Sequence, residues 1–141
     1  MDISFKLKRV NDEMFKQANN RLQKDNMTFS QLFVLVYLYR DAKDMTASLK
    51  ELERRFEVAQ ATMAGIASRL EAKGFVEGVI NSQDRRVKQI RLTPQGQEFL
   101  KKNHQKMEEH NQRLVQGLSE EELGNLNRYL DIIYQNILEE E

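Results

Sequence analysis

The chain has 141 residues, a length typical of one compact domain, and it contains no cysteine, which excludes disulfides, thiolate metal sites and a thiol redox sensor. The charges of its 22 basic and 22 acidic side chains cancel, so the composition alone does not indicate a nucleic-acid-binding protein. The charge is uneven, however: residues 47–93 carry nine basic and six acidic side chains, whereas residues 94–141 carry five and ten. This local positive excess is sufficient to attract phosphates.

No segment has the length of a membrane span or the apolar region of a signal peptide. The chain starts with a mixed charged segment, and the longest apolar run, Leu32 to Leu38, has seven residues. We therefore expect a cytoplasmic protein without a membrane partner.

The first part of the chain predicts two helices. Apolar residues spaced by three or four define one face of a helix over residues 3–24, and they are Ile3, Leu7, Val10, Met14 and Ala18. After a break at Asp25-Asn26, Thr28 and Gln31 have the spacing of a capping box. A second helix is expected over about residues 29–40, buried on most sides.

A short helix and a longer helix are predicted next. A polar gap, residues 41–46, precedes Ser48 and Glu51, which have the spacing of a second capping box. The short helix ends at a tight connection, and a helix of about residues 59–73 follows, ended by Gly74. The inward positions of this longer helix are expected to be Ala59, Met63, Ile66, Ala67 and Leu70.

The character of the sequence changes after Gly74. Residues 75–80 are rich in β-forming side chains, residues 81–84 are a turn cluster and residues 86–92 partly alternate, which predicts a β-hairpin. Thr93-Pro94 then supplies an N-cap and first position for a long helix over about residues 94–116. Ser119 and Glu122 form a third capping box. The last helix carries the most regular apolar stripe, which is Leu123, Leu126, Leu130, Ile133 and Ile137.

This order of elements predicts a mainly α fold with a small β-hairpin wing, that is, a winged helix-turn-helix plus a helical dimerisation region. In such a fold the second helix of the pair fits the major groove of DNA, and the hairpin covers the adjacent backbone. The outward face of residues 59–73 is small and polar, and its candidate DNA-binding residues are Gln60, Ala61, Thr62, Ala64, Ser68 and Arg69. Taken alone, this face is equally typical of an ordinary amphipathic helix.

The tip of the hairpin is strongly basic. Four of the seven residues from 85 to 91 are basic, and they are Arg85, Arg86, Lys88 and Arg91. Such a cluster suits phosphates or a narrow minor groove, and the alternative is a solvated charged loop.

Two segments resemble the MarR family of transcriptional regulators. The segment Asp84-x-Arg86-x-x-x-Ile90-x-Leu92-Thr93-x-x-Gly96 is similar to the wing signature of that family. The segment Leu70-Glu71-x-Lys73-Gly74-Phe75-Val76 is similar to the end of its recognition helix and the start of its wing. The resemblance implies that Arg86 reaches into the minor groove. It also implies that Asp84 braces the wing through a charge pair with an arginine such as Arg69 or Arg85.

The resemblance further implies that the small, polar helix face contacts DNA. The sequence departs from the family at Ala64 and Gly65, where longer polar side chains are common. Direct base readout is therefore expected to be modest, and shape reading by the wing correspondingly more important.

Together these features predict a sequence-specific DNA-binding transcriptional regulator, a repressor, that binds a pseudo-palindromic operator as a homodimer. Residues 1–27 and 94–141 would form dimerisation helices, and residues 28–93 the winged helix-turn-helix DNA-binding region. Burial of the last apolar stripe against a symmetric partner supports the dimer, and the alternative is an intramolecular helical bundle. The alternative function is a winged-helix protein-interaction module without DNA binding.

Ligands are less defined by the sequence. In the family, small ligands, often aromatic acids, bind between the DNA-binding part and the dimer helices, so the resemblance implies release from DNA by a small-molecule effector. Conceivable pocket residues are Tyr37, Tyr39, His104 and His110, although each is more often a core or surface residue. The two histidines are six residues apart and do not share a helix face, so we expect no metal and no cofactor. No nucleophile motif, glycine-rich phosphate loop or paired acid cluster indicates an enzyme.

Overall fold

The computed structural model describes residues 2–140, and within that range it contains six α-helices and three β-strands. These elements are α1 (Ile3–Leu22), α2 (Phe29–Arg40), β1 (Thr46–Ser48), α3 (Leu49–Phe56), α4 (Gln60–Ala72), β2 (Val76–Ile80), β3 (Lys88–Leu92), α5 (Pro94–Leu114) and α6 (Glu120–Glu139). Short 3₁₀ turns follow α1 at Gln23–Asp25 and α2 at Lys43–Met45. The predicted fold class, mainly α with a small β wing, is confirmed.

Local capping explains where several helices begin. The Thr28 hydroxyl accepts a hydrogen bond from the Gln31 backbone N–H at 3.2 Å, and the Gln31 side chain accepts one from the Thr28 backbone N–H, which completes the predicted box. Ser119 and Glu122 form the same reciprocal pair before α6. Each pair satisfies backbone donors that a helix start otherwise leaves without partners.

The predicted capping box before α3 is only half formed. The Ser48 hydroxyl accepts a hydrogen bond from the Glu51 backbone N–H at 3.0 Å, as expected. The Glu51 carboxylate, however, accepts a hydrogen bond of 2.6 Å from the Tyr37 hydroxyl of α2. The Glu51 side chain therefore contacts another helix instead of capping α3, as its spacing from Ser48 had predicted.

The chain folds into two compact units, Met1–Lys102 and Asn103–Glu141. The core of the first unit is formed by α2, α3 and α4, whose innermost side chains are fully buried. They are Leu35 and Leu38 of α2, Leu52 of α3, and Met63 and Leu70 of α4. Of the inward positions predicted for α4, all are buried except Ala59, which is exposed because it is the extended N-cap residue of the helix.

The predicted hairpin is part of a three-stranded antiparallel sheet with the order β1-β3-β2. Ala47 in β1 pairs with Ile90, and Val76 in β2 pairs with Leu92. All four side chains are buried against the helices. Strand β1 was not predictable from the sequence, because three residues between a polar gap and a helix are too few to display the period of a strand.

The base of the hairpin is joined firmly to the start of α5. The Thr93 backbone N–H donates to the Phe75 carbonyl at 3.1 Å, and the Thr93 hydroxyl donates to the Gly74 carbonyl at 2.6 Å. The same hydroxyl accepts a hydrogen bond from the Gly96 backbone N–H at 3.0 Å, which confirms Thr93 as the N-cap of α5. One side chain thus connects the end of α4, the wing and the next helix.

In the second unit, α6 carries its apolar side chains largely at the surface of the single chain. The predicted stripe is half-exposed or exposed throughout, with Leu130 at 41% and Ile137 at 58%. The exposed apolar surface of α6 is wider than the stripe, because it also includes Tyr129, Ile132, Tyr134 and Leu138. At the other end of the sequence, α1 exposes Ile3, Phe5, Leu7 and Val10.

Among the helices of residues 2–140, none combines the length and the apolar character that crossing a bilayer requires.

Candidate nucleic-acid interface

A tight turn joins α3 and α4 into a helix-turn-helix. Glu57 ends α3 in the left-handed conformation with φ of 52°, and its backbone N–H caps the helix on the Glu53 carbonyl. The Val58 N–H donates to that same carbonyl at 3.1 Å. Ala59 is extended, and α4 starts at the next residue. The turn therefore occupies only three residues, which fixes the second helix firmly against the first.

The burial of α4 leaves a free face on its opposite side. Met63 and Leu70 have no accessible surface, and Ile66 and Ala67 are buried beside them. All six residues predicted to face DNA are exposed, and they are Gln60, Ala61, Thr62, Ala64, Ser68 and Arg69. The structure thus brings the predicted residues together on one accessible helix surface, as a recognition helix requires.

The loop at the hairpin tip is organised by side chains that bond to its own backbone. The Asn81 side-chain oxygen accepts hydrogen bonds from the N–H groups of Gln83 at 2.8 Å and Asp84 at 3.2 Å. The Asp84 carbonyl then accepts one from the Val87 N–H at 3.1 Å. These bonds give the tip a defined turn, which is a common use of Asn and Asp side chains.

Asp84 holds the arginine that the resemblance assigns to the minor groove. Its carboxylate accepts hydrogen bonds from the backbone N–H of Arg86 at 3.0 Å, from Nε at 3.1 Å and from Nη2 at 3.2 Å. The side-chain and backbone hydrogen bonds from Arg86 lower the pKa of the Asp84 carboxyl. The predicted charge pair therefore exists, but the partners named for it, Arg69 and Arg85, are wrong. The local i, i+2 geometry of the turn favours Arg86.

The remaining basic residues of the wing differ in their surroundings. Arg91 donates to the Glu77 carboxylate across the strands at 2.7 Å, so its charge is already paired. Arg85 and Lys88 are exposed, and neither forms an ion pair with any residue between 2 and 140. The Arg86 side chain is 91% exposed despite its pairing with Asp84. The tip thus presents three accessible cations, Arg85, Arg86 and Lys88.

The contacts of Lys73 were not predictable from the sequence. Lys73, the C-cap of α4, donates from Nζ to the Asn26 carbonyl, to Gln31 Oε1 at 3.0 Å and to Met27 Sδ at 3.4 Å. Burial, followed by the nearby positive charge of Arg69, lowers the pKa of Lys73. These bonds fasten the end of α4 to the turn between α1 and α2. The acceptors lie 42 to 47 residues earlier in the chain, so local sequence gives no signal for them.

Of the four conceivable pocket residues, Tyr37 and Tyr39 lie in α2, and His104 and His110 lie in α5. The Tyr37 hydroxyl bonds to Glu51, and this hydrogen bond, with burial, raises the pKa of Tyr37. Tyr39 and His104 are exposed, and His110 is half-buried. Within residues 2–140, no group of three or more His, Asp or Glu side chains is arranged to hold a metal ion.

Comparison with known proteins gives a consistent set of relatives. A sequence model of the MarR family matches residues 25–87, which contain α2 to α4, β1, β2 and the wing tip. The transcriptional repressor IacR of Pseudomonas putida is 25% identical over 131 residues, which cover 93% of this chain and 77% of that protein. The transcriptional repressor MdtR of Bacillus subtilis is 30% identical over 95 residues, covering 67% of this chain and 59% of that protein.

Solved structures share the fold over nearly the whole chain. MepR of S. aureus, in its complex with DNA, is similar with a TM-score of 0.85 and 25% identity, over 96% of this chain and 98% of that chain. A mutant of MarR from E. coli, complexed with operator DNA, has a TM-score of 0.81 and 24% identity, over 93% of this chain and 92% of that chain. The winged helix-turn-helix and the long flanking helices are therefore common to these proteins and this chain.

Proposed function

Because the chain belongs to the MarR family, we propose that it is a DNA-binding transcriptional regulator, a repressor, that recognises a pseudo-palindromic operator. The observation that carries the proposal is the pairing of two exposed surfaces in one unit. The outward face of α4 is accessible, and the adjoining wing ends in three accessible cations. The MepR and MarR structures named above contain DNA, which supports this assignment.

In the proposed complex α4 lies in the major groove. Gln60 and Thr62 lie at its N-terminal end, which is the end that reaches base edges in helix-turn-helix proteins. An amide side chain such as that of Gln60 pairs with adenine through N6 and N7, whereas a guanidinium such as that of Arg69 pairs with guanine through O6 and N7. The small side chains Ala61, Ala64 and Ser68 permit a close approach of the helix backbone to the bases.

The wing contributes charge and shape recognition. Arg86 enters the minor groove, where a narrow groove concentrates negative potential, and Arg85 and Lys88 contact phosphates. Asp84 prepares Arg86 for this role because its carboxylate holds the guanidinium at the tip. On binding, Arg86 exchanges at least part of this pairing for contacts with DNA.

A homodimer completes the proposal. The exposed apolar side chains of α1 and α6 need a cover, and a symmetric partner supplies it while doubling the number of DNA contacts. In this arrangement residues 1–27 and 94–141 serve dimerisation, and residues 28–93 bind DNA. Two recognition helices would then contact half-sites one turn of DNA apart, roughly 34 Å.

Regulation and location follow from the same proposal. A small-molecule effector that prefers one separation of the two DNA-binding heads would release the operator, and a tenfold preference corresponds to about 1.4 kcal/mol. A regulator of bacterial promoters acts in the cytoplasm, where the chromosome lies.

The wing provides the decisive test. After selection of an operator from random DNA, binding is measured against salt concentration for the wild type and for the double variant Arg85→Ala/Arg86→Ala. We expect weaker binding and a slope of log affinity against log salt that is shallower by roughly 1 for each phosphate that the variant no longer neutralises. The control variant Lys101→Ala/Lys102→Ala removes the same charge from exposed positions of α5 and should retain the slope.

Unchanged affinity and slope in a folded wing variant would favour the second candidate, a winged-helix module that binds protein. The dimer is tested separately with Leu130→Glu and Ile137→Glu, whose side chains are exposed in the single chain and can be replaced without disturbing a protomer core. We expect the molecular mass measured by light scattering to halve. A truncation before Ser119 should likewise weaken association and operator binding. Retention of the dimer mass in all three proteins would contradict the proposed interface.

A further inference from the structure

We propose that Gly65 is a positioning residue for DNA recognition: it leaves the surface of α4 bare so that the Arg69 guanidinium can lie along the helix. The inference rests on the proposed function, because it assigns a task to Arg69 at the DNA interface. It concerns how that side chain is presented rather than which residues contact DNA.

The geometry of the pair follows from the helix itself. Gly65 and Arg69 are four residues apart and therefore lie on the same face, and long side chains in a helix lean towards its N-terminus. Arg69 follows this rule. Its Nη1 atom lies 3.2 Å from the position that a Cβ atom of residue 65 would occupy. A Cβ atom at residue 65 would therefore require the guanidinium to shift by a few tenths of an ångström, and a longer side chain there would compete with it for the same helix surface.

No other feature of the fold accounts for this glycine. Glycine is, after proline, the least favourable residue in a helix interior. Gly65 lies in the middle of α4 but does not have the positive φ that favours glycine, unlike Gly74 and Gly117. Apart from its two chain neighbours and the backbone of its own helix turn, one atom of residues 2–140 lies within 4 Å of the Cβ position, and that atom is Arg69 Nη1. Among the residues that the structure describes, no helix, strand or loop approaches closely enough to exclude an alanine.

Arg69 has no other anchor among the described residues. It is exposed and takes part in none of the ion pairs found between residues 2 and 140. A cationic neighbour, Lys73, donates hydrogen bonds to Asn26 in the turn before α2 and to Gln31 of α2, and the two positive charges repel each other. The bare helix surface at Gly65 is thus the feature that decides where the guanidinium lies.

This arrangement suits a specific kind of contact. Because the Arg69 side chain extends one turn towards the N-terminus of α4, its guanidinium lies beside the half of the helix that enters the major groove in the proposed complex. There its planar pair of N–H donors can bind the O6 and N7 acceptors of one guanine. A side chain at position 65 would lift the guanidinium from the helix and misalign that pair, so Gly65 determines specificity for the base that Arg69 reads.

The test is a double-mutant cycle on an operator selected with the wild type. The variants are Gly65→Ala, Gly65→Gln, Arg69→Ala and Gly65→Gln/Arg69→Ala. We expect Arg69→Ala and Gly65→Gln each to weaken binding by about tenfold or more, as removal of one interaction with a base does. Gly65→Ala should weaken it about two- to threefold, since the guanidinium needs to shift only slightly. The double variant should bind within about twofold of Arg69→Ala, because the two changes remove the same interaction.

Gly65→Ala in the Arg69→Ala background is the matched control for helix stability. It has the same gain in helix propensity as Gly65→Ala but no guanidinium to displace. We expect it to bind DNA as Arg69→Ala does.

Three results would overturn the inference. The first is wild-type affinity of both Gly65 variants. The second is an equal loss of affinity from Gly65→Gln with and without Arg69, which would mean that the new side chain collides with DNA directly. In both cases the wild type still binds its operator, so the proposed function survives. The third result, a wild type that binds no duplex, removes the proposed function together with the inference.

Discussion

The junction between the wing and α5 makes a sharp prediction about one glycine. A Cβ atom at Gly96 would overlap the carbonyl oxygen of Phe75 and would lie 2.6 Å from Cδ1 of Leu92. Replacement of Gly96 by alanine is therefore expected to lower the free energy of unfolding. In an unobstructed helix the same replacement raises it, because alanine is the better helix former.

The magnitude follows from how firmly the obstructing carbonyl is held. Phe75 O accepts the Thr93 N–H at 3.1 Å, and the Thr93 side chain bonds to both Gly74 and Gly96. Relief of the overlap to an ordinary separation of roughly 3.5 Å requires the junction to open by about 1 Å. Overpacking of this kind costs about 1–3 kcal/mol, and a broken hydrogen bond costs about 0.5–1.5 kcal/mol. The higher helix propensity of alanine offsets up to about 1 kcal/mol of this cost, so the free energy of unfolding should fall by roughly 1–3 kcal/mol.

Urea unfolding followed by circular dichroism measures this loss. All proteins are compared at one protomer concentration, because association contributes to the apparent stability. We expect a lower midpoint with an unchanged slope for Gly96→Ala, and a higher midpoint for the control Gly65→Ala, whose new methyl group approaches the flexible end of the Arg69 side chain and no rigid backbone atom. A Gly96→Ala protein as stable as the wild type would refute the description of this junction as rigid.

Three further predictions concern hydrogen bonds made by side chains. Thr28→Ala removes the N-cap of α2 and should lower the free energy of unfolding by about 1 kcal/mol in urea titrations, whereas Thr28→Ser should restore it. Tyr37→Phe removes the 2.6 Å hydrogen bond to Glu51 and should lower it by about 0.5–1.5 kcal/mol in the same assay. Hydrogen bonds from the backbone and hydroxyl of Ser119 lower the pKa of the Glu122 carboxyl in the folded protein. The stability that these bonds add is therefore complete above the ordinary pKa of 4.5, and it is lost as the pH falls through the lower pKa of the folded state. Thermal unfolding in acid should therefore depend less on pH in Glu122→Gln than in the wild type, and identical pH dependence would contradict this assignment.

Features encoded within a few residues were predictable from the sequence. The starts of α2 and α6 are fixed by capping boxes whose two members are three residues apart. The end of α4 and the start of the hairpin were predictable from the change of pattern at Gly74, where the helical spacing of apolar residues ends and β-forming residues follow. The exposed face of α4 followed from its buried face, because both derive from one helical period.

Features that depend on distant pairing were not predictable. Strand β1 exists because β3, more than 40 residues later, offers it a partner. The Glu51 carboxylate accepts a hydrogen bond from Tyr37 instead of capping α3, and Lys73 donates to Asn26 in the turn after α1 and to Gln31 in α2. The partner of Asp84 is a different case, since Arg86 is a close neighbour. There the exact path of the turn, rather than the residue types, decided between the arginines at the tip.

The zero net charge of the chain does not weaken the proposed role in DNA binding. Residues 1–102 contain 19 basic and 13 acidic side chains, whereas residues 103–141 contain three basic and nine acidic ones. The unit with α4 and the wing is therefore positive by six charges, and the other unit is negative by the same number. At physiological ionic strength exposed charges are screened beyond about 8 Å. The potential felt by a phosphate at the wing is thus set by its immediate neighbours, among them Arg85, Arg86 and Lys88, and not by the sum over the chain. A neutral composition is compatible with a cationic binding surface whenever the compensating acids lie in a separate part of the sequence, as they do here.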